Sequence, residues 1–204
     1  MTRKYFYATI ILFLTSAVMF YTALSSFRPP AEPQTGIVVS GKPLPDFSLV
    51  SQDNQSFSLQ KVAGRPVILF FGYTSCPDVC PLAMRKIAES LKMLGPKREE
   101  FAVIFITVDP ARDTPSILAK WVSQYYPGTI ALTGEMEGLS RVWRAYGAAN
   151  PADYESAARS GDTYYISHSA VIYVADRNHV LRYILTPEMD TEAFRQVLEE
   201  IYQA

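Results

Sequence analysis

Hydrophobic positions along the chain gather into a few dense runs, separated by stretches rich in polar residues, proline and glycine. The first run, Tyr5 to Leu24, is twenty residues without a charge. At about 1.5 Å per residue such a helix spans about 30 Å, the hydrocarbon thickness of a bilayer. Arg3 and Lys4 precede it, and Tyr5, Tyr7 and Tyr21 stand near its ends, where amphipathic rings suit the interface. The pattern predicts a transmembrane anchor over residues 5–24, with residues 1–4 cytoplasmic and the rest outside. A cleaved signal peptide is the competing reading, with Ala23, Leu24 and Ser25 as its cleavage site. The length of the run favours a retained anchor. No cysteine lies near its end, which excludes a lipoprotein. Residues 25–40 then read as a linker. Within it Arg28 to Thr35 holds three prolines in eight residues, an extended spacer.

From residue 41 to residue 204 the periodicity is that of one α/β domain. Asp46–Val50 and Ser56–Leu59 suggest a hairpin. Val67–Phe71 is wholly apolar, the mark of a strand buried on both faces. Helical character over Pro81–Leu94 stops at Gly95 and Pro96. Ala102–Val108 is a second buried strand. Thr114 and Pro115 open a helix running to Tyr126, and Gly134–Tyr146 forms another. Ala170–Val174 is a third apolar strand, His179–Leu185 follows it after a turn, and Thr191–Tyr202 closes the chain as a helix. This order predicts a central mixed sheet, parallel in the middle and antiparallel at an edge, with helices on both faces. Ligands of such sheets bind beyond the C-terminal strand ends. The loop after Val67–Phe71 lies at such an end and holds both cysteines.

Composition narrows the chemistry. Of 204 residues 49% are hydrophobic and 19% charged, which excludes a disordered chain or a coiled coil. Nineteen basic and twenty acidic side chains leave a net charge of −1, so nothing calls for nucleic acid. Two cysteines and two histidines cannot build a disulfide scaffold or a four-cysteine zinc site. They can make one redox pair or part of one soft-metal site.

Cys76 and Cys80 are separated by three residues, and each is followed by a proline. In a regular helix their Cβ atoms would stand about 5–6 Å apart, too far for a disulfide. Proline disfavours the α conformation in the residue before it, so both cysteines are expected in a loop, with Cys80 beside the N-cap of the following helix. The positive end of that helix favours thiolate. Reversible disulfide chemistry and soft-metal binding both suit such a pair, and thiolates with imidazole select copper. His168, just before the third apolar strand, is the candidate third ligand. His179 lies in a turn and reads as exposed and structural. Asp78 reads as a solvated turn residue. Asp113, Thr114 and Pro115 read as a helix start, and Asp109 with Arg112 as an ion pair bracing the cysteine loop. Tyr125, Tyr126, Tyr164 and Tyr165 read as core and rim.

Three segments taken together, GYTSCPDVCP, VDPARDTP and SHSAVIYV, resemble the Sco/SenC family. The resemblance implies a thioredoxin-like, peroxiredoxin-related fold. It implies a membrane-anchored copper chaperone serving the copper centre of cytochrome c oxidase. It matches Cys76 and Cys80 to the family's metal-binding and redox cysteines and His168 to its copper-ligand histidine. The family usually carries Asp directly before that histidine, and here Ser167 stands there.

The expected activity is therefore copper binding through Cys76, Cys80 and His168, with transfer to an oxidase subunit or another chaperone and no turnover. The expected place is a bacterial inner membrane with the domain in the periplasm. A mitochondrial inner membrane, with the domain in the intermembrane space, is the alternative. A thiol–disulfide oxidoreductase acting on a partner's cysteines is the competing function, although thioredoxin-type enzymes space their cysteines one residue closer. A peroxidase built on Tyr73, Thr74 and Ser75 is a weaker third reading.

Overall fold

The computed structural model describes residues 5, 7, 13–22, 37–39, 41–159 and 164–204. The chain divides into two compact units, Met1–Gln34 and Thr35–Ala204. In the first, residues 13–22 are helical and all exposed, including Phe13, Leu14, Met19 and Phe20. Among the described residues no helix is long and apolar enough to cross a membrane. Much of the predicted anchor, and most of the linker, lies outside the described residues.

The second unit is built on one sheet. Its described strands are β1 (Ile37–Val38), β2 (Ser48–Ser51), β3 (Ser56–Ser58), β4 (Val67–Gly72), β5 (Ala102–Thr107), β6 (Ile130–Thr133), β7 (Ile172–Ala175) and β8 (Leu181–Leu185), in the order β1-β8-β7-β4-β5-β6-β2-β3. The helices are α1 (Val79–Met93), α2 (Pro115–Val122), α3 (Met136–Tyr146), α4 (Pro151–Ala158) and α5 (Thr191–Gln203). Every residue of β4, β5 and β7 is buried. Successive side chains of a strand point to opposite faces, so the centre of the sheet is covered on both sides. Helices α1 and α5 pack together, and Lys86 donates to Thr191 Oγ1 at 2.7 Å between them. Helix α2 contacts β6, and α3 contacts β2.

The predicted hairpin, the three apolar strands and the main helices are present. Three elements had no strong periodic signal: β6, β1 and α4. The apolar run over 130–132 is too short to stand out. Asn150 caps α4 by accepting from Ala152 N at 3.1 Å, with Pro151 at its first position. The helix expected from Thr114 to Tyr126 ends at Val122, and the following residues form turns. The helix expected from Gly134 starts at Met136. The third apolar strand begins at Ile172 rather than Ala170.

Register decides what meets at the edge of the sheet. β4 and β5 run parallel, with Gly72 opposite Thr107. β7 runs antiparallel to β4, with Phe70 opposite Ile172. The chain therefore leaves β4 and β5 at the same edge at which it enters β7. That edge carries the loop with the cysteines, the turn at 108–114 and the segment ending in His168. Leu69 sits at the centre of this arrangement, wholly buried and opposite both Ile104 and Tyr173. Leu69→Ala is expected to lower unfolding stability by about 2–5 kcal/mol, read from a denaturant titration.

Candidate metal centre

Cys76 lies three residues ahead of α1, outside any helix, and is 8% exposed. Cys80 is fully buried and is the second residue of α1. The expectation that both cysteines lie in a loop thus fails for Cys80. Pro81 needs no hydrogen-bond acceptor in the first turn, so the helix tolerates it. Burial of the Cys80 sulfur outweighs the local preference set by the following proline. Because only one cysteine is helical, the sulfur separation is not locked to helical geometry.

Gly72 makes this burial possible. A Cβ at this position would stand 2.8 Å from Cys80 Sγ, 3.0 Å from Phe70 and 3.1 Å from Phe105. The strand end must therefore lack a side chain where the sulfur packs against it.

The loop between Gly72 and α1 is fastened to its neighbour. Asp113 is fully buried and accepts from Thr107 Oγ1 at 2.6 Å, Thr74 Oγ1 at 2.5 Å and Thr74 N at 3.1 Å. Burial pushes its carboxyl above the usual range despite these three donors. Asp113, expected only as part of the helix start with Thr114 and Pro115, is thus a tie between the β4 and β5 exits. The cap is Thr114, whose side chain accepts from Ile117 N.

His168 completes the group. It forms an isolated bridge with Ala149. Its ring stands edge-on to Tyr73 at 5.7 Å and to Phe70 at 6.3 Å. Nδ1 lies 3.1 Å from the Ser169 carbonyl oxygen. A carbonyl only accepts, so Nδ1 is the donor in this contact, and Nε2 faces the sulfurs. Nε2 lies 3.4 Å from Cys80 Sγ. The ligand atoms of Cys76, Cys80 and His168 all fall within 4.8 Å of one another. With metal–sulfur bonds near 2.3 Å, one ion can bridge donors at such separations. The set of two sulfurs and one imidazole suits a soft ion.

The two sulfurs are chemically unequal. Cys76 is pulled down to about 3, chiefly by the hydrogen bond from Cys80, with the His168 ring and the backbone N–H groups of Asp78 and Cys80 assisting against burial. These N–H groups belong to the start of α1, so the helix end favours the anion at Cys76 and not, as expected, at Cys80 beside the N-cap. Cys80 is pushed up by its hydrogen bond to Cys76, by burial and by the Cys76 charge. Both cysteines are free, with no disulfide between them.

A cavity of about 400 Å³ opens beside His168, lined among others by Trp143, Ala149, Asn150 and Ser167. A second cavity, of about 450 Å³, lies around Tyr125–Gly128 and holds none of the three ligands.

The sequence profile of the SCO1/SenC family matches residues 41–203. The chain belongs to the SCO1/SenC family. It is 30% identical over 180 residues to the SCO2-like protein of Rickettsia felis, covering 83% of each. Among solved structures, ScoI of Bradyrhizobium japonicum with copper bound superposes with a TM-score of 0.68 at 28% identity, over 78% of this chain and 99% of that one. Yeast Sco1 with copper bound superposes with a TM-score of 0.70 at 25% identity, over 80% of this chain and 90% of that one. The thioredoxin-like fold expected from the sequence is therefore that of the SCO1/SenC domain.

Around Cys76, Cys80 and His168 of this SCO1/SenC domain, other sequence expectations meet mixed outcomes. Asp109 and Arg112 do form an ion pair. Asp78 is exposed and stands at the N-cap of α1 without a side-chain capping bond. His179 lies far from the sulfurs in sequence and function: its Nε2 is 3.2 Å from the Val62 carbonyl, and it is half-buried rather than exposed. Tyr165 is an exposed rim residue, but Tyr164 is engaged with Asp109. Gly72, Tyr73 and the tying role of Asp113 went unread. A glycine ending a wholly apolar strand just before a cysteine was the available signal.

Two outcomes test this geometry. Alkylation of Cys76 by iodoacetamide should hold its rate from neutral pH down to about pH 5, whereas an ordinary thiol with a pKa of about 8.5 slows tenfold per unit. Gly72→Ala should cost about 1–3 kcal/mol in a denaturant titration through overpacking against Cys80.

Proposed function

We propose that this chain binds copper through Cys76, Cys80 and His168 and passes it to a partner during assembly of the copper centre of cytochrome c oxidase. The observation that carries the reading is the convergence of those three ligand atoms within 4.8 Å. Copper is cargo here, not a resident cofactor. Two sulfurs hold it in either common oxidation state, and the imidazole adds a neutral nitrogen donor. The ion can leave by stepwise exchange, each protein ligand being replaced by one from the recipient. The recipient is an oxidase subunit or another copper chaperone.

In this reading residues 1–4 are cytoplasmic, residues 5–24 anchor the chain in a membrane and residues 25–40 hold the domain, residues 41–204, off its surface. The charge-free run from Tyr5 to Leu24 supports the anchor. The domain faces the periplasm of a bacterial inner membrane, or in the alternative the mitochondrial intermembrane space.

The Cys76 thiolate favours a second reading, reduction of a partner's disulfide. Cys76 would attack one partner sulfur and release the other as thiolate. Cys80 would then attack Cys76 and release the second, leaving a Cys76–Cys80 disulfide and a reduced partner.

Copper titration of the reduced full-length chain separates the two. One equivalent bound, with sulfur-to-copper(II) charge-transfer bands that vanish in Cys76→Ser and Cys80→Ser and shift in His168→Ala, is the expected result. No retained copper, together with turnover on a disulfide substrate, would establish the redox reading instead.

A further inference from the structure

Beside the sulfur pair lies a second cluster that supplies no ligand: Asp109, Arg112, Tyr164 and Tyr73. Asp109 is fully buried just beyond the end of β5. Arg112 Nε pairs with its Oδ2, and the Tyr164 hydroxyl donates to its Oδ1 at 2.7 Å. The Arg112 guanidinium carbon lies 3.7 Å from the centre of the Tyr164 ring and 5.7 Å from that of Tyr73. The same guanidinium donates to the Tyr164 carbonyl at 3.2 Å. Tyr73 continues the chain of contacts. Its hydroxyl accepts from Ile166 N at 3.4 Å, and its ring meets that of His168.

These contacts hold the segment 164–168 along its length. Arg112 and Asp109 take its start, Tyr73 its middle and its imidazole. The far side is held separately, by the bridge between His168 and Ala149 and by Ser169 N donating to the Ala148 carbonyl at 2.6 Å. On the near side Arg112 is the hub. A flat guanidinium can stack on one ring and use its N–H groups in plane on a carboxylate and a carbonyl at once. A buried carboxylate left without that partner would be strongly unfavourable, so the pairing is retained or the segment shifts.

Resting on the assignment of Cys76, Cys80 and His168 as the metal-binding set, we propose that Arg112, seated on Asp109, is a positioning residue. It clamps the segment 164–168 and thereby keeps His168 Nε2 within reach of the two sulfurs. Arg112 acts on the affinity of the site only through His168.

The test uses the full-length chain as Arg112→Met, His168→Ala and the double variant. Loss of an outer-shell partner lowers metal affinity about 10–100-fold. Arg112→Met should show a copper(II) affinity loss in that range, with weakened nitrogen hyperfine coupling. The double variant should bind no worse than His168→Ala alone. In the metal-free chain, exchange of the Ile166 amide should accelerate in Arg112→Met. Additive losses in the double variant would overturn the proposal, and so would an unchanged Ile166 exchange rate. If Arg112→Met does not fold, Tyr164→Phe replaces it: the hydroxyl to Asp109 is lost, Ile166 exchange should still accelerate, and an unchanged rate would overturn the clamp. A His168→Ala chain that keeps full copper affinity would sink the metal assignment instead, while Ile166 exchange would still decide whether Arg112 clamps the segment.

Discussion

Antiparallel pairing of β7 with β4 is the constraint from which the site follows. With Phe70 opposite Ile172, the chain must enter β7 at the edge where it leaves β4. Parallel pairing of β4 with β5 brings the exit of β5 to that edge as well. Residues separated by 88 positions, Cys80 and His168, become neighbours without any long-range element devoted to joining them. The central strands supply none of the three side chains that converge at the site. Their continuous burial holds the register, and a slip by one residue would turn every side chain to the opposite face.

At that edge the protein solves an electrostatic problem. A sulfur anion, a buried carboxylate at Asp113 and another at Asp109 lie close to one core. Each is given its own donors. The thiolate takes the start of α1 and the neighbouring thiol. Asp113 takes two hydroxyls and an amide, and Asp109 takes a guanidinium and a phenol. Buried polar groups are tolerable when each is satisfied in this way, and a fully satisfied network also fixes a single arrangement of loops. The fixed arrangement is what places three ligand atoms together ahead of any ion.

Much of this was legible beforehand. The apolar runs at Val67–Phe71 and Ala102–Val108 announce buried strands, and the cysteine pair with its prolines announces reactive sulfur. His168 could be singled out because it precedes a central strand. What stayed hidden depends on contacts between distant residues. Local rules place Cys80 outside the helix, and only the packing of its sulfur against Gly72 reverses them. Local rules also make Asp113 a helix-start residue, because nothing near it in the chain shows that Thr74 and Thr107 converge on it. The bond from Tyr164 to Asp109 stayed unread for the same reason: the two lie 55 positions apart.

The unequal depth of the two sulfurs gives the centre a floor and a rim. Cys80, with no exposed surface, forms the floor, while Cys76 and the half-buried His168 form the rim. Among the described residues the rim is the more exposed side for an incoming donor. It would displace the outer sulfur or the imidazole first, and the inner sulfur would be the last to let go. In the proposed transfer the order of release would follow the depth of these three side chains, independently of how tightly any one of them binds.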